Sequence, residues 1–193
     1  MYTINEKLVV ETTGSSSAIP VGINEGVKFA GVTKKQDKNG KSYLSFAFKD
    51  SADQELMHNE FEINPEYVTP KEGESKEDAV TRRVNNMLIR VKHICTQFIP
   101  KETFVVSGTT YEEFCNNLIS LMNNANTNAD LRLKVVLNYK DYSSLPNFTP
   151  FIENVETYPT TKLKINPKYD KMEPDTAKAS TEAAATDEAI LPF

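Results

Sequence analysis

The sequence predicts a mainly β chain with an α-helical insertion, an α+β class that rests on three observations. Two runs of β-favouring residues flank an Asn-Gly dipeptide early in the chain. Two stretches with apolar residues at three- and four-residue spacing occupy the middle, and strict alternation returns at Leu131. The chain has 193 residues, with 27 acidic against 22 basic side chains and a formal charge of -5. A hydrophobic fraction of 39% is ordinary for a globular chain, while 7 Gly and 2 Cys exclude collagen-like and disulfide-scaffold classes.

The opening residues 1–24 include Thr12-Thr13-Gly14-Ser15-Ser16-Ser17, a polar run expected to be flexible. Strand signals begin at Val27. Residues 28–33 and 43–48 are rich in apolar and β-forming side chains, and Asp37-Lys38-Asn39-Gly40-Lys41 lies between them. Asn-Gly tolerates the positive φ of a tight turn, so the two runs are expected to pair as an antiparallel hairpin. A third strand is expected over 55–63, ending near Pro65, which cannot donate to a ladder.

Two helices follow. Ser75 caps the first, with Glu77 and Asp78 in its first turn. Val80, Val84, Met87, Leu88, Val91, Ile94, Cys95 and Phe98 form its apolar stripe, which stops before Pro100. Thr110 with Glu113 marks a capping box for the second, whose stripe is Phe114, Cys115, Leu118, Ile119 and Met122. In the fourth strand Leu131, Leu133, Val135, Leu137 and Tyr139 alternate with Arg132, Lys134, Val136, Asn138 and Lys140. That pattern predicts a half-buried strand with one basic face. A fifth strand is expected over 148–158. Beyond Pro167 the pattern stops, and the Ala-, Thr- and acid-rich end predicts a disordered tail.

Three strands, a helical insertion and two strands is the order of an OB-fold, a five-stranded Greek-key barrel. The expected division is a flexible segment 1–24, an OB-fold body 25–169 and an acidic tail 170–193. Phe46, Phe48, Phe148 and Phe151 are expected to pack in the core or close the barrel end. Cys95 and Cys115 sit at apolar helix positions, so buried reduced thiols and a cytoplasmic setting are expected. No apolar run approaches a membrane span, and no leader pattern precedes the first strand.

Charge is segregated along the chain. Residues 26–49 carry six Lys and one Asp, a local +5, whereas 50–81 carry ten acids and two Lys, a local -8. Residues 82–101 hold five cations and no acid, and 131–140 hold three cations and no acid. Gripping a single nucleic-acid strand takes cations for phosphates and flat rings for bases. The hairpin offers Lys34, Lys35, Lys38, Lys41 and Lys49 around Tyr43, and the fourth strand offers Arg132, Lys134 and Lys140 with Tyr142 just beyond. These ten residues are the expected nucleic-acid face. Arg82, Arg83, Arg90 and Lys92 form a secondary patch on the wet side of a helix.

The chain closes on Asp187-Glu188-Ala189-Ile190-Leu191-Pro192-Phe193. Acids followed by Ile190, Leu191, Pro192 and Phe193 resemble the C-terminal tip of bacterial and phage single-stranded DNA-binding proteins. The hairpin turn Lys38-Asn39-Gly40-Lys41 and the strand Leu131-Arg132-Leu133-Lys134-Val135-Val136 are similar to the body of such phage proteins. The resemblance implies binding of single-stranded DNA and recruitment of replication, recombination or repair proteins by Asp187, Glu188, Ile190, Leu191, Pro192 and Phe193. On physical grounds an acidic tail on a weakly charged body is also expected to occupy the basic face when DNA is absent and to be displaced when DNA arrives. Assembly into a homo-oligomer is compatible with this reading.

No G-x-S-x-G, H-E-x-x-H or phosphate-cradling Gly loop is present, so no enzyme is expected. His93 and Cys95 fall on different helix faces and no C-x-x-C knuckle exists, so neither metal nor cofactor is expected. The rival is an adaptor that uses the same body for protein contacts alone.

Overall fold

A computed structural model of the chain describes residues 18–174. Its centre is β1 (Gly22–Gln36), which pairs antiparallel with β2 (Ser42–Lys49) along its second half and with β4 (Leu131–Leu137) along its first. Serving two neighbours requires a bend, and the register shifts between Phe29 and Gly31 on one side and between Asn24 and Val27 on the other. Gly31 has φ +134°, a conformation that a side chain would oppose. The β1–β2 turn forms where Asn-Gly predicted it, with Gly40 at φ +75°.

β2 pairs in turn with β3 (Glu55–Phe61), and the strand order is β3-β2-β1-β4-β5, where β5 is Ser143–Ser144. β6 (Ile152–Asn154) takes the edge of β4 that β1 leaves free. The sheet is antiparallel and open, because β3 and β5 at its two ends are not hydrogen-bonded together. Of the fifth strand expected over 148–158 only β6 forms, and the short β5 precedes it, with residues 145–151 looped out between the two. Pro146 and Pro150 lie in that loop, and neither can donate to a ladder.

The helices lie where their caps place them. α1 (Lys76–Cys95) starts at Ser75, whose hydroxyl accepts from the Asp78 N–H at 3.0 Å. α2 (Tyr111–Asn123) starts at Thr110, which accepts from the Glu113 N–H at 3.1 Å, and the Glu113 carboxylate accepts from the Thr109 N–H. Met87, Val91, Ile94 and Cys95 of α1 and Cys115, Leu118 and Met122 of α2 pack against Leu44, Phe46, Phe48, Leu131 and Leu133 of the sheet. Burying a side chain of that size contributes about 2 kcal/mol, so this shared face fixes which sides of both helices turn inward. Leu88 stays exposed and Ala79 is buried instead. Both cysteines are free and buried, and burial pushes the Cys95 thiol up to about 12.

The folded body is longer than the expected 25–169. Ile19 is fully buried in the core, and its N–H donates to the Glu55 carbonyl. At the other end Asp170 is buried against Lys134, and the Leu137 N–H donates to the Lys171 carbonyl. Residues 1–17 and 175–193 lie outside the described residues, and with them the tip residues Asp187, Glu188, Ile190, Leu191, Pro192 and Phe193. No described helix is long and apolar enough to cross a membrane.

Candidate nucleic-acid interface

Register alone assembles one face of the β1–β2–β3 sheet. Tyr43 stands opposite Lys35 on β1 and Phe61 on β3, so all three side chains share that face. The next rows are Thr33, Ser45 and Asn59, then Gly31, Ala47 and Met57. The Tyr43 and Phe61 rings stack with centroids 4.6 Å apart and planes 29° apart, and Phe61 remains 47% exposed. Gly31 and the small Ser45 and Ala47 lie beside that stack, with Ser45 itself buried and its hydroxyl without a hydrogen-bond partner among the described residues. A Cβ placed on Gly31 would meet nothing within 4 Å, so the face is open above it.

The turn next to this face holds its lysines outward. One Asp37 carboxylate oxygen accepts from the Asn39 N–H at 2.8 Å and the Lys41 N–H at 2.9 Å. The Lys41 N–H bond is the largest influence on Asp37 and helps hold its carboxyl below the usual range. Lys35, Lys38 and Lys41 are exposed and form no ion pair among the described residues. Lys49 shares the Tyr43 face but pairs with Glu55 at 2.8 Å. Lys34 belongs to the opposite face, beside Leu44, and its ammonium pairs with Glu112 of α2 at 2.8 Å.

The expected basic face of β4 is not a wet face. Arg132 and Lys134 are each only 7% exposed, because residues 158–171 cover that side of the strand. Arg132 donates to Glu25 at 2.7 Å and to the carbonyls of Tyr158 and Pro159. Lys134 donates to Asp170 at 2.8 Å and to the Lys164 carbonyl at 3.1 Å. A buried cation must be paired, and both guanidinium and ammonium are already neutralised. These two residues are struts for the covering segment, which corrects their assignment to a phosphate-facing surface.

Lys140 and Tyr142 do project, from the turn between β4 and β5. The Asn138 side-chain oxygen accepts from the Lys140 and Tyr142 N–H groups at 2.8 and 3.2 Å, and Asp141 pairs with Lys171 at 2.6 Å. Tyr142 is 69% exposed, and the Lys140 ammonium lies 5.4 Å from the centre of the exposed Tyr139 ring. On the secondary patch, Arg82 pairs with Glu74 and Arg90 with Glu60, whereas Arg83 has no carboxylate partner among the described residues.

Sequence reasoning missed Phe61 and Tyr139. Phe61 could have been found from parity, since Met57, Asn59 and Phe61 alternate with the inward Leu56, His58 and Glu60. Among the described residues no three His, Cys, Asp or Glu side chains converge as a metal site. His93, considered as a ligand, instead accepts from the Phe151 and Ile152 N–H groups through Nε2. No protein-family model matches the chain, and no curated protein matches it significantly.

Proposed function

We propose that the chain binds single-stranded DNA without strong sequence preference, protects it, and recruits replication, recombination or repair proteins through its acidic segment 175–193. The observation that carries this reading is the Tyr43–Phe61 stack beside Lys35, Lys38 and Lys41. Partly exposed rings supply sequence-tolerant stacking, and unpaired ammonium groups supply phosphate contacts.

The strand path supports an OB-type body. In that fold a long bent first strand is shared by the second and fourth, a helical element joins the third to the fourth, and the strand 2–3 face with its flanking loops takes the ligand. The order β3-β2-β1-β4-β5 is compatible with that arrangement, with the sheet open between β3 and β5, which approach each other in space. The candidate rings lie on β2 and β3, and the candidate lysines at the end of β1 (Lys35) and on the β1–β2 and β4–β5 turns.

Fluorescence titration with single- and double-stranded oligonucleotides across a salt series tests the proposal. Tyr43→Ala with Phe61→Ala should weaken single-strand binding by about 2 kcal/mol, or roughly thirtyfold. Replacing Lys35, Lys38 and Lys41 by Gln should flatten the salt slope by about 2, since each single-strand phosphate contact contributes about 0.7. No binding at low salt would leave the adaptor reading in its place.

A further inference from the structure

We infer that the looped-out segment 145–151 is a second docking site for the same strand, with a base on Phe148 and phosphates on Lys162, Lys164 and Arg83. This inference rests on the single-strand reading above and extends it to a part of the molecule outside the hairpin face. Phe148 was expected to pack in the core or at the barrel end, yet it is 66% exposed while nearby Phe151 is fully buried. Its ring is steadied by a T-shaped contact with Tyr169, centroids 6.0 Å apart. A nucleic-acid base is a flat partner that can stack on such an exposed ring.

Two cavities meet at this ring. One, about 540 Å³, is lined by Phe148, Pro150, Lys162, Lys164 and Tyr169. The other, about 560 Å³, is lined by Phe148 with Lys71, Arg82, Arg83 and Arg90. Both have the volume of a ligand site. Their charge decides what kind of ligand fits. The acidic residue at the first cavity is Asp170, and its carboxylate already accepts from Lys134 at 2.8 Å. Lys162 and Lys164 flank the buried Leu163, so alternation turns both outward, and neither has an ion pair among the described residues. Lys162 lies 5.0 Å from the centre of the Tyr158 ring. Among the described residues no acidic side chain lines the second cavity, where Arg82 and Arg90 are committed to Glu74 and Glu60 and Arg83 has no carboxylate partner. An aromatic ring between two cationic hollows suits a chain that alternates flat bases with anionic phosphates.

The test compares full-length wild-type protein with F148A, F148Y, K162Q/K164Q and R83Q. Binding is measured with an oligothymidylate of about 16 nucleotides and another of about 5, the lengths spanning the usual site sizes of one such body. F148A should weaken the long oligonucleotide about tenfold and leave the short one, held by the hairpin face, unchanged; F148Y should restore affinity. K162Q/K164Q should flatten the salt slope for the long oligonucleotide by about 1.4, and R83Q by about 0.7. Phe148 and these cations are exposed, so thermal melting should match wild type. Wild-type affinity and slope in every variant on the long oligonucleotide would overturn the second site while leaving the hairpin reading intact. Failure of the wild-type protein to bind either length would remove both. Loss of binding to an acidic peptide, with DNA affinity unchanged, would overturn it in favour of a protein occupant.

Discussion

His93 shows how one buried side chain ties a helix to a loop and makes the fold sensitive to acid. Its Nε2 accepts from the Phe151 N–H at 3.1 Å and the Ile152 N–H at 3.4 Å, which only the neutral ring can do through that atom. Burial, helped by the positive charge of Lys101 and opposed by Glu153, lowers its pKa to about 4. The unfolded chain, titrating near the ordinary value of about 6.5, therefore takes up a proton before the folded one does. The associated stability is fully present above that ordinary value and is lost as pH falls towards the folded value. Between about pH 7 and about pH 5 the loss should reach about 2 kcal/mol in urea unfolding. His93→Gln, which keeps a neutral acceptor, should flatten that dependence whatever it does to absolute stability. An equal slope in the variant would show that another group carries it.

β3 is clamped to both helices at one residue, Glu60, through its carboxylate to α1 and its backbone carbonyl to α2. Glu60 is buried and receives two bonds from Arg90 of α1, at 2.6 and 2.7 Å, and one from His58 at 2.9 Å. The Tyr111 hydroxyl at the start of α2 donates to the Glu60 carbonyl. Burial pushes the Glu60 carboxyl up, but the hydrogen bonds from His58 and Arg90 outweigh it and hold the group below its ordinary range. Its contribution is thus present above the unfolded carboxylate pKa and lost as pH falls through the lower folded one. Arg90→Ala should cost about 3–5 kcal/mol, since it strands a buried charge, and the double change Arg90→Met with Glu60→Gln should cost clearly less. A double-mutant cycle by urea unfolding reads the coupling, and additive losses would contradict it. This clamp was hidden in the sequence, where Arg90 reads as the wet side of a helix and Glu60 as part of an acidic run. The elements themselves were legible, because caps at Ser75 and Thr110 and the Asn39-Gly40 turn act locally. What covers an element is not local. The basic side of β4 was misread because residues 158–171, far along the chain, lie over it; Val136 on that same side was the one apolar hint. The fifth strand expected over 148–158 shrinks to Ile152–Asn154, because its start belongs to the 145–151 loop that holds Pro146 and Pro150 and carries Phe148 into solvent.

Across the whole molecule, the net charge of -5 argues against binding a polyanion, yet its distribution does not. Residues 175–193 carry four acids and one Lys, so the chain without them has a formal charge of -2. Within the body the cations divide into two kinds. Lys28, Lys34, Lys49, Arg132 and Lys134 are paired with carboxylates, whereas Lys35, Lys38, Lys41, Lys140, Lys162 and Lys164 have no such partner among the described residues. The unpaired set is the one that carries an uncancelled field, and on the proposed reading the acidic residues of 175–193 would compete with phosphate for it. Because exposed charges are screened beyond about 10 Å at 0.1 M salt, the competition must fade as salt rises. Deleting residues 175–193 should therefore tighten single-stranded DNA binding several-fold at low salt, with the two proteins converging near roughly 1 M, where the screening length is about 3 Å. Removing 170–193 instead should also lower stability, since it takes away the Asp170 carboxylate that neutralises buried Lys134. Comparing the two truncations by titration and by urea unfolding separates the roles. Equal low-salt affinity with and without residues 175–193 would rule the competition out, and unchanged stability on removing Asp170 would contradict its place in the fold.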